Sequence, residues 1–118
     1  MMKALIIDDD PGICMLIEQI LKFRKIESAN VSTIDEAREM LESMSPDMIF
    51  IDHRLPDGPG IDFIPEIRQI HPGTIVVAMT AEYEAEKNIN IFGKGADHFL
   101  EKPFYIDDVN KLLDSRML

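Results

Sequence analysis

Short apolar segments alternate along this chain with longer segments in which apolar residues recur every three or four positions. The short segments are typical of strands buried in a parallel sheet, and the longer ones are typical of amphipathic helices. Five short segments are predicted as strands, at residues 4–7, 26–31, 48–51, 74–79 and 96–100. Segment 26–31 carries interleaved polar residues, which favours a position at the edge of the sheet.

A helix is predicted after each strand. Asp10 before Pro11 is typical of a helix N-cap with proline at the first helical position. Thr33 and Glu36 form a capping-box pattern, and Pro65 fits the third helix only in its first turn. The apolar stripes of the five helices are Ile13, Leu16, Ile17, Ile20 and Leu21; Ala37, Met40, Leu41 and Met44; Phe63, Ile64, Ile67 and Ile70; Ala85, Ile89 and Phe92; and Val109, Leu112, Leu113 and Met117. The alternation predicts one α/β domain, residues 1–118, with a parallel sheet covered by helices on both faces.

Composition fits a single globular domain. The 118 residues are 46% hydrophobic and 29% charged. Every apolar run is far shorter than the roughly 20 residues of a membrane helix, and the first residues lack a signal-peptide pattern, so we expect a cytoplasmic protein. The single cysteine, Cys14, lies among helical apolar residues and is expected to be a buried structural thiol.

The charge balance argues against two classes of partner. Lysine and arginine number 12 against 22 aspartates and glutamates, which gives a net charge of −10. Such a surface repels phosphate backbones and anionic membranes, so we expect no direct binding to nucleic acid or to a membrane.

Polar residues that could bind a ligand or take part in a reaction follow several of the predicted strands. Ligands of open α/β sheets bind outside the carboxyl ends of the strands, so the residues at those ends are candidates for a site. They are Asp8 and Asp9 after the first strand, Asp52 after the third, Thr80 after the fourth and Lys102 after the fifth. Asp10 already caps the first helix, which leaves Asp8 and Asp9 without an evident structural role.

This set of side chains suits metal-assisted phosphoryl chemistry. Neighbouring carboxylates raise one another's pKa unless a cation lies among them, and oxygen ligands without histidine or cysteine favour Mg²⁺. Lys102 would supply a positive charge for phosphate oxygens, and Thr80 would supply a hydrogen-bond donor. One of the aspartates can then act as an oxygen nucleophile and form an aspartyl phosphate.

The chain resembles the receiver domains of two-component response regulators, the chemotaxis-regulator-like superfamily, over essentially its whole length. The fragments that carry the resemblance are Leu5-Ile6-Ile7-Asp8-Asp9-Asp10-Pro11, Ile49-Phe50-Ile51-Asp52, Leu55-Pro56-Asp57-Gly58-Pro59-Gly60, Met79-Thr80-Ala81 and Gly95-Ala96-Asp97-His98-Phe99-Leu100-Glu101-Lys102-Pro103-Phe104. The resemblance implies a flavodoxin-like doubly wound (βα)5 sandwich with a five-stranded parallel sheet in the order 2-1-3-4-5.

The resemblance also assigns the metal and the phosphoryl group to particular residues. Asp52 is implied to be the phosphoacceptor, with Mg²⁺ as cofactor. Asp9 and Asp52 would bind Mg²⁺ directly, Asp8 would act largely through a water, and the backbone carbonyl of Arg54 would be a further ligand. Lys102 would contact the phosphoryl oxygens.

A conformational switch is implied by the same family pattern. Thr80 would move toward the phosphoryl group, and Phe99 would follow inward. The bond between Lys102 and Pro103 matches the family's cis peptide, a conformation found almost only before proline.

The implied function is that of a phosphorelay switch rather than of an enzyme, apart from catalysis of its own phosphorylation and dephosphorylation. The phosphoryl donor would be the phosphohistidine of a sensor histidine kinase or of a histidine phosphotransfer protein. The downstream partner would be an output domain or a target protein, and a phosphorylation-dependent homodimer is a further hypothesis.

The residues just after Asp52 depart from the family's usual pattern. His53 replaces a usually apolar residue, and Arg54 is bulky and charged. The resemblance also implies that the side chains two residues after the phosphoacceptor and two after the switch threonine border the path of the hydrolytic water. Here these residues are Arg54 and Glu82. They are predicted to pair across the entrance of the site and to slow loss of the phosphoryl group modestly, because an exposed ion pair is worth about 0 to 1 kcal/mol.

Two other families remain as alternatives. A haloacid-dehalogenase-type hydrolase also uses a strand-end aspartate, and Asp8 with Asp10 superficially offers its Asp-x-Asp pair. Gly12 and the early helix start at Pro11 do not match that motif, and 118 residues leave no room for a cap domain. A flavodoxin relative would need a glycine- and hydroxyl-rich phosphate loop, whereas the loop after the first strand is acidic.

Overall fold

A computed structural model describes residues 2–81 and 93–117 of the chain. Its central sheet consists of five parallel strands: β1 (Lys3–Ile7), β2 (Glu27–Val31), β3 (Met48–Asp52), β4 (Ile75–Ala81) and β5 (His98–Lys102). Their order in the sheet is β2-β1-β3-β4-β5. The expected strand order and the edge position of the polar second strand are both confirmed.

Helices cover both faces of the sheet. They are α1 (Pro11–Phe23), α2 (Ile34–Ser43), α3 (Ile64–Ile70) and the C-terminal helix (Ile106–Met117). The predicted helix with Ala85, Ile89 and Phe92 lies outside the described residues, as does the side chain of Met117. In the described part of the chain, no helix has the length and apolarity that a membrane crossing requires.

Alternate residues of β1, β3 and β4 pack into two separate hydrophobic cores, one on each face of the sheet. Ile6 of β1 packs with residues of α1 and the C-terminal helix on one face, and Ile7 packs with residues of α2 and α3 on the other. Because successive strand side chains point to opposite faces, one apolar segment serves both cores. This arrangement confirms the doubly wound α/β fold.

The helix start signals act largely as the sequence predicts. The carboxylate of Asp10 accepts hydrogen bonds from backbone N–H groups in the first turn of α1. The hydroxyl of Thr33 accepts from the N–H of Glu36 at 3.0 Å, while the Glu36 carboxylate reaches the N–H of Ser32 at 2.8 Å. Pro65 is the second residue of α3, so it lies in the first turn, where a missing N–H costs no helical hydrogen bond.

Strands β3, β4 and β5 extend further toward their carboxyl ends than predicted, whereas β1 and β2 end where predicted. Asp52 is the last residue of β3, and β5 begins two residues later than expected and runs through Lys102. The polar character of Glu101 and Lys102 made an earlier end of this strand the natural prediction. Backbone pairing with β4 continues to Lys102 opposite Ala81, because ladder hydrogen bonds do not depend on side-chain polarity.

Arg68 of α3 joins two loops at the amino ends of β4 and β5. Its guanidinium donates to the backbone carbonyls of Pro72, Thr74 and Gly95 and to the carboxylate of Asp97. Arginine suits this position because its planar fork presents five donors in fixed directions. The side chain therefore ties the loop before β4 to the loop before β5.

A tight loop folds back over the end of β3. Residues Arg54–Leu55 pair antiparallel with Gly58–Pro59, and the N–H of Gly60 donates to the carbonyl of His53 at 2.7 Å. A Cβ atom at Gly60 would lie 1.9 Å from the carbonyl oxygen of Asp52. Only glycine therefore allows the loop to lie this close to the end of the strand.

We expect Gly60→Ala to destabilise the fold by about 1 to 3 kcal/mol, because the clash is with strand backbone that no rotamer change can relieve. Gly73→Ala is the matched control, since a Cβ there meets no atom within 4 Å. It should stay within about 0.5 kcal/mol of wild type. Urea unfolding measures both changes, and equal midpoints for the two variants would contradict the packing role of Gly60.

Candidate functional site

Three aspartates meet at the carboxyl ends of adjacent strands. Oxygens of Asp8, Asp9 and Asp52 lie within 4.8 Å of one another. Asp8 directly follows β1 and Asp52 ends β3, and these strands are neighbours in the sheet. Asp8 is 1% exposed and Asp52 is 6% exposed, whereas Asp9 faces solvent. The sheet thus concentrates negative charge at a partly buried position.

Lys102 bridges the two buried carboxylates. Its Nζ lies 3.0 Å from Asp8 Oδ2 and 3.0 Å from Asp52 Oδ1. Burial alone would lower the pKa of Lys102, but its hydrogen bonds and charge interactions with Asp52 and Asp8 outweigh burial and hold the pKa above its ordinary value. Lys102 is therefore a permanent cation beside Asp52 at neutral pH.

Asp52, the candidate phosphoacceptor, ionises less readily than an ordinary aspartate. Burial, followed by the negative charge of Asp8, raises the pKa of Asp52 from 3.8 to about 6, although Lys102 acts in the opposite direction. One lysine thus does not compensate for the burial and the neighbouring acids. A further cation at the cluster would favour the ionised carboxylate, which is the form able to act as a nucleophile.

Asp8 also has a structural role, so the prediction that it lacks one is wrong. Its Oδ1 accepts a hydrogen bond from the N–H of Asp10 at 3.0 Å, which shapes the entry to α1. Its backbone carbonyl accepts from the thiol of Cys14 at 3.3 Å. Cys14 is buried as expected, and burial and the nearby Asp8 raise the pKa of its thiol to about 11. The thiol therefore stays protonated at neutral pH.

Thr80 lies on β4, beside the strand that ends in Asp52. Its side chain is fully buried, and its hydroxyl has no hydrogen-bond partner among the described residues. A buried hydroxyl without a partner is costly, and native proteins rarely keep one without a reason. The hydroxyl is thus available to a ligand that brings acceptor oxygens.

The remaining predicted residues flank this centre. Phe99 lies on the edge strand β5 and is 41% exposed. The peptide bond between Lys102 and Pro103 is cis. Arg54 is exposed and pairs with Pro59 in the loop after β3, while its predicted partner Glu82 lies outside the described residues. The ion pair across the entrance therefore stays a prediction.

For two residues of the same loop, the sequence predicted no individual role. Gly60 permits the close approach to Asp52, and the carboxylate of Asp57 hydrogen-bonds to the start of α2. The turn-rich segment from Leu55 to Gly60 was the available signal, but it indicates a turn without indicating which surface the turn packs against.

Comparison with known proteins identifies the family. The family model of the response regulator receiver domain matches residues 4–114. The response regulator protein PilR of Pseudomonas aeruginosa is 38% identical over 111 residues, which cover 94% of this chain and 25% of PilR. The transcriptional regulatory protein KdpE of Staphylococcus aureus is 34% identical over 110 residues, which cover 91% of this chain and 46% of KdpE.

Solved structures agree in fold. A two-component response regulator from Clostridium difficile superposes with a TM-score of 0.90 at 26% identity, covering 99% of this chain and 96% of that chain. A CheY-like receiver domain protein from Methanospirillum hungatei gives 0.89 at 25% identity, covering 98% and 93%. The chain spans about a quarter of the length of PilR and of NtrC from Klebsiella pneumoniae. Of the three families considered from the sequence, this chain belongs to the response regulator receiver domains.

Proposed function

We propose that this receiver domain accepts a phosphoryl group on Asp52 and changes conformation in response. The observation that carries the proposal is the contact of Lys102 with Asp52 inside the cluster of acids. A buried carboxylate with a raised pKa, a fixed ammonium group and two further acids is a costly arrangement for a purely structural site.

The proposed reaction is a transfer between two side chains. A carboxylate oxygen of Asp52 forms a bond to phosphorus while the N–P bond of a phosphohistidine breaks. The leaving imidazole nitrogen keeps the electron pair and takes a proton from solvent. The donor would be a sensor histidine kinase or a histidine phosphotransfer protein. Lys102 holds positive charge where phosphoryl oxygens would arrive.

The donor set fits Mg²⁺. The cluster offers carboxylate oxygens, the pKa of Asp52 is raised by burial and Asp8, and no nitrogen or sulfur ligand belongs to the cluster within the described residues. Asp9 and Asp52 would bind the ion directly, Asp8 through a water, and Arg54 through its backbone carbonyl. The ion would supply positive charge that offsets the acids and the incoming phosphoryl oxygens.

The proposed output is a shift between two conformations. The buried hydroxyl of Thr80 would turn to the phosphoryl oxygens, and the half-exposed ring of Phe99 would move into the space near it. Residues 1–118 would form this one domain, and its catalysis would be limited to its own phosphorylation and dephosphorylation. It would act in the cytoplasm on an output domain, a target protein or a second copy of itself.

Asp52→Asn should abolish stable phosphorylation while the fold survives, because an amide oxygen is a much weaker nucleophile than a carboxylate. Wild type and variant are incubated with a small phosphoramidate donor and Mg²⁺ and weighed by mass spectrometry. Asp107→Asn, at an exposed aspartate of the C-terminal helix, is the control and should label like wild type. Labelling of the Asp52 variant at the wild-type rate would refute the assignment.

Mg²⁺ should stabilise the wild-type fold, because an ion that binds only the folded state shifts the unfolding equilibrium. At ten times its dissociation constant the gain is about 1.4 kcal/mol. Asp9→Ala removes an exposed ligand candidate and should lose most of this gain. Thermal melts with and without Mg²⁺ measure it. An equal response of wild type and Asp9→Ala would remove Asp9 from the ligand set.

The metal-free chain should lose stability as the pH rises through the pKa of Asp52. That pKa is raised on folding from 3.8 to about 6, so the folded state binds the proton more tightly. The resulting stability is present below pH 4 and is lost toward pH 7. Asp52→Asn, which carries no charge, should therefore be more stable than wild type at pH 7 by about 1 to 3 kcal/mol and no more stable below pH 4. Urea unfolding in the presence of a chelator checks this, and a difference independent of pH would contradict it.

A further inference from the structure

Asp57 lies at the tip of the loop that follows the proposed phosphoacceptor. With Pro56 it forms the turn between Leu55 and Gly58, which pair with each other across the hairpin. The side chain is exposed, yet both carboxylate oxygens are engaged with α2. Oδ1 accepts from the N–H of Ile34 at 2.9 Å, and Oδ2 accepts from the N–H of Asp35 at 3.0 Å.

These hydrogen bonds are not required for local capping of α2. Thr33 is the N-cap, and its hydroxyl already accepts from the third N–H of the helix, that of Glu36. The N–H groups of Ile34 and Asp35 lack an intrahelical partner, as the first N–H groups of every helix do, and water could satisfy them. Asp57, more than twenty positions away in sequence, satisfies them instead. The contact thus ties two distant segments together.

The carboxylate is held in the form that makes both bonds. The hydrogen bond from the Ile34 N–H, and then that from the Asp35 N–H, keep the pKa of Asp57 below its ordinary value despite some desolvation. The positive end of the α2 dipole also favours a negative charge at this position.

Helix α2, to which the loop is tied, makes side-chain contacts with α3. Arg38 of α2 makes a two-pronged contact with Glu66 of α3, with Nε 2.7 Å from Oε2 and Nη2 3.2 Å from Oε1. The same guanidinium contacts Asp35 at 2.9 Å and lies over the ring of Phe63. The start of α2 is thereby fixed to α3 and to the residues that precede it.

The anchored loop carries the backbone group proposed as a metal ligand. Its base is fixed at Gly60, which donates to His53, and its two arms pair at Arg54 and Pro59. Asp57 holds the opposite end. With base and tip both fixed, the peptide planes between them, including the carbonyl of Arg54, have little freedom to rotate.

We propose that Asp57 is a positioning residue for the metal and phosphoryl site, and that it acts by tying the tip of the 53–60 loop to the first turn of α2. The inference rests on the proposed function, because it assumes that the Arg54 carbonyl faces bound Mg²⁺. It assigns to Asp57 a part in metal binding without any contact with the metal.

Two variants separate positioning from helix capping. Asp57→Ala removes both hydrogen bonds to α2, whereas Thr33→Ala removes the local cap of the same helix and leaves the loop contact intact. Asp57→Asn keeps a carbonyl oxygen and the turn preference, so it serves as a partial rescue. Thermal melts would first establish that all three variants fold.

Titration calorimetry with Mg²⁺ alone then gives the dissociation constant of each protein. We expect Asp57→Ala to bind Mg²⁺ about tenfold more weakly, Asp57→Asn to lie between it and wild type, and Thr33→Ala to match wild type. Phosphorylation of Asp57→Ala by a phosphoramidate should recover at saturating Mg²⁺. Without metal, the Gly60 amide should exchange its hydrogen about tenfold faster in Asp57→Ala than in Thr33→Ala.

The outcomes distinguish this inference from the proposed function. Wild type that binds no Mg²⁺ would overturn both. Wild-type binding together with unchanged affinity in Asp57→Ala would overturn the inference alone, as would equal losses in Asp57→Ala and Thr33→Ala, because these would trace the effect to α2 stability. Equal Gly60 exchange in the two alanine variants would also overturn it.

Discussion

The salt bridge of Lys102 with Asp8 and Asp52 is the interaction on which the site depends. It joins residues 94 positions apart and places the ammonium group 3.0 Å from each of two buried carboxylates. Taking an ion out of water costs several kcal/mol, and a single buried charge would not persist without a partner. Three acids and one lysine nevertheless leave the cluster with excess negative charge, and the raised pKa of Asp52 reflects that excess.

The rest of the fold holds this unfavourable cluster in place. The apolar strands β1 and β3 are buried on both faces, and their parallel pairing brings Asp8 and Asp52 to one end of the sheet. The hydrophobic burial of these strands offsets the cost of the charges at their ends. Gly60 then lets the next loop approach the carbonyl of Asp52 more closely than any other residue would. The apolar middle of β1 and of β3 thus supplies stability, and the site residues lie at the carboxyl ends of these strands.

The comparisons assign this chain to the receiver family, and the cluster suits the phosphoryl switch proposed for it. The proposed phosphoryl switch needs a carboxylate that is ionised when Mg²⁺ is bound, a side chain that keeps its positive charge, and a hydroxyl that is free to bind the phosphoryl oxygens. Asp52 is buried with a raised pKa, Lys102 keeps its charge through its pairing with two carboxylates, and the Thr80 hydroxyl has no partner among the described residues. The chain spans about a quarter of the length of PilR and NtrC.

The sequence by itself determined the elements, the sheet order through a family resemblance, and the short set of residues at the strand ends. These features were predictable because apolar periodicity, capping residues and prolines act over a few positions. Only the tertiary structure decided the end of β5, the structural bond of Asp8 to Asp10, the approach of Gly60 to Asp52, and the contacts of Asp57 and Arg68 with distant backbone. Each of these depends on which surfaces meet after the helices pack on the sheet. Residues twenty to ninety positions apart then lie in one local environment. That environment determines which polar groups are buried, which of them form hydrogen bonds or ion pairs, and which have a shifted pKa.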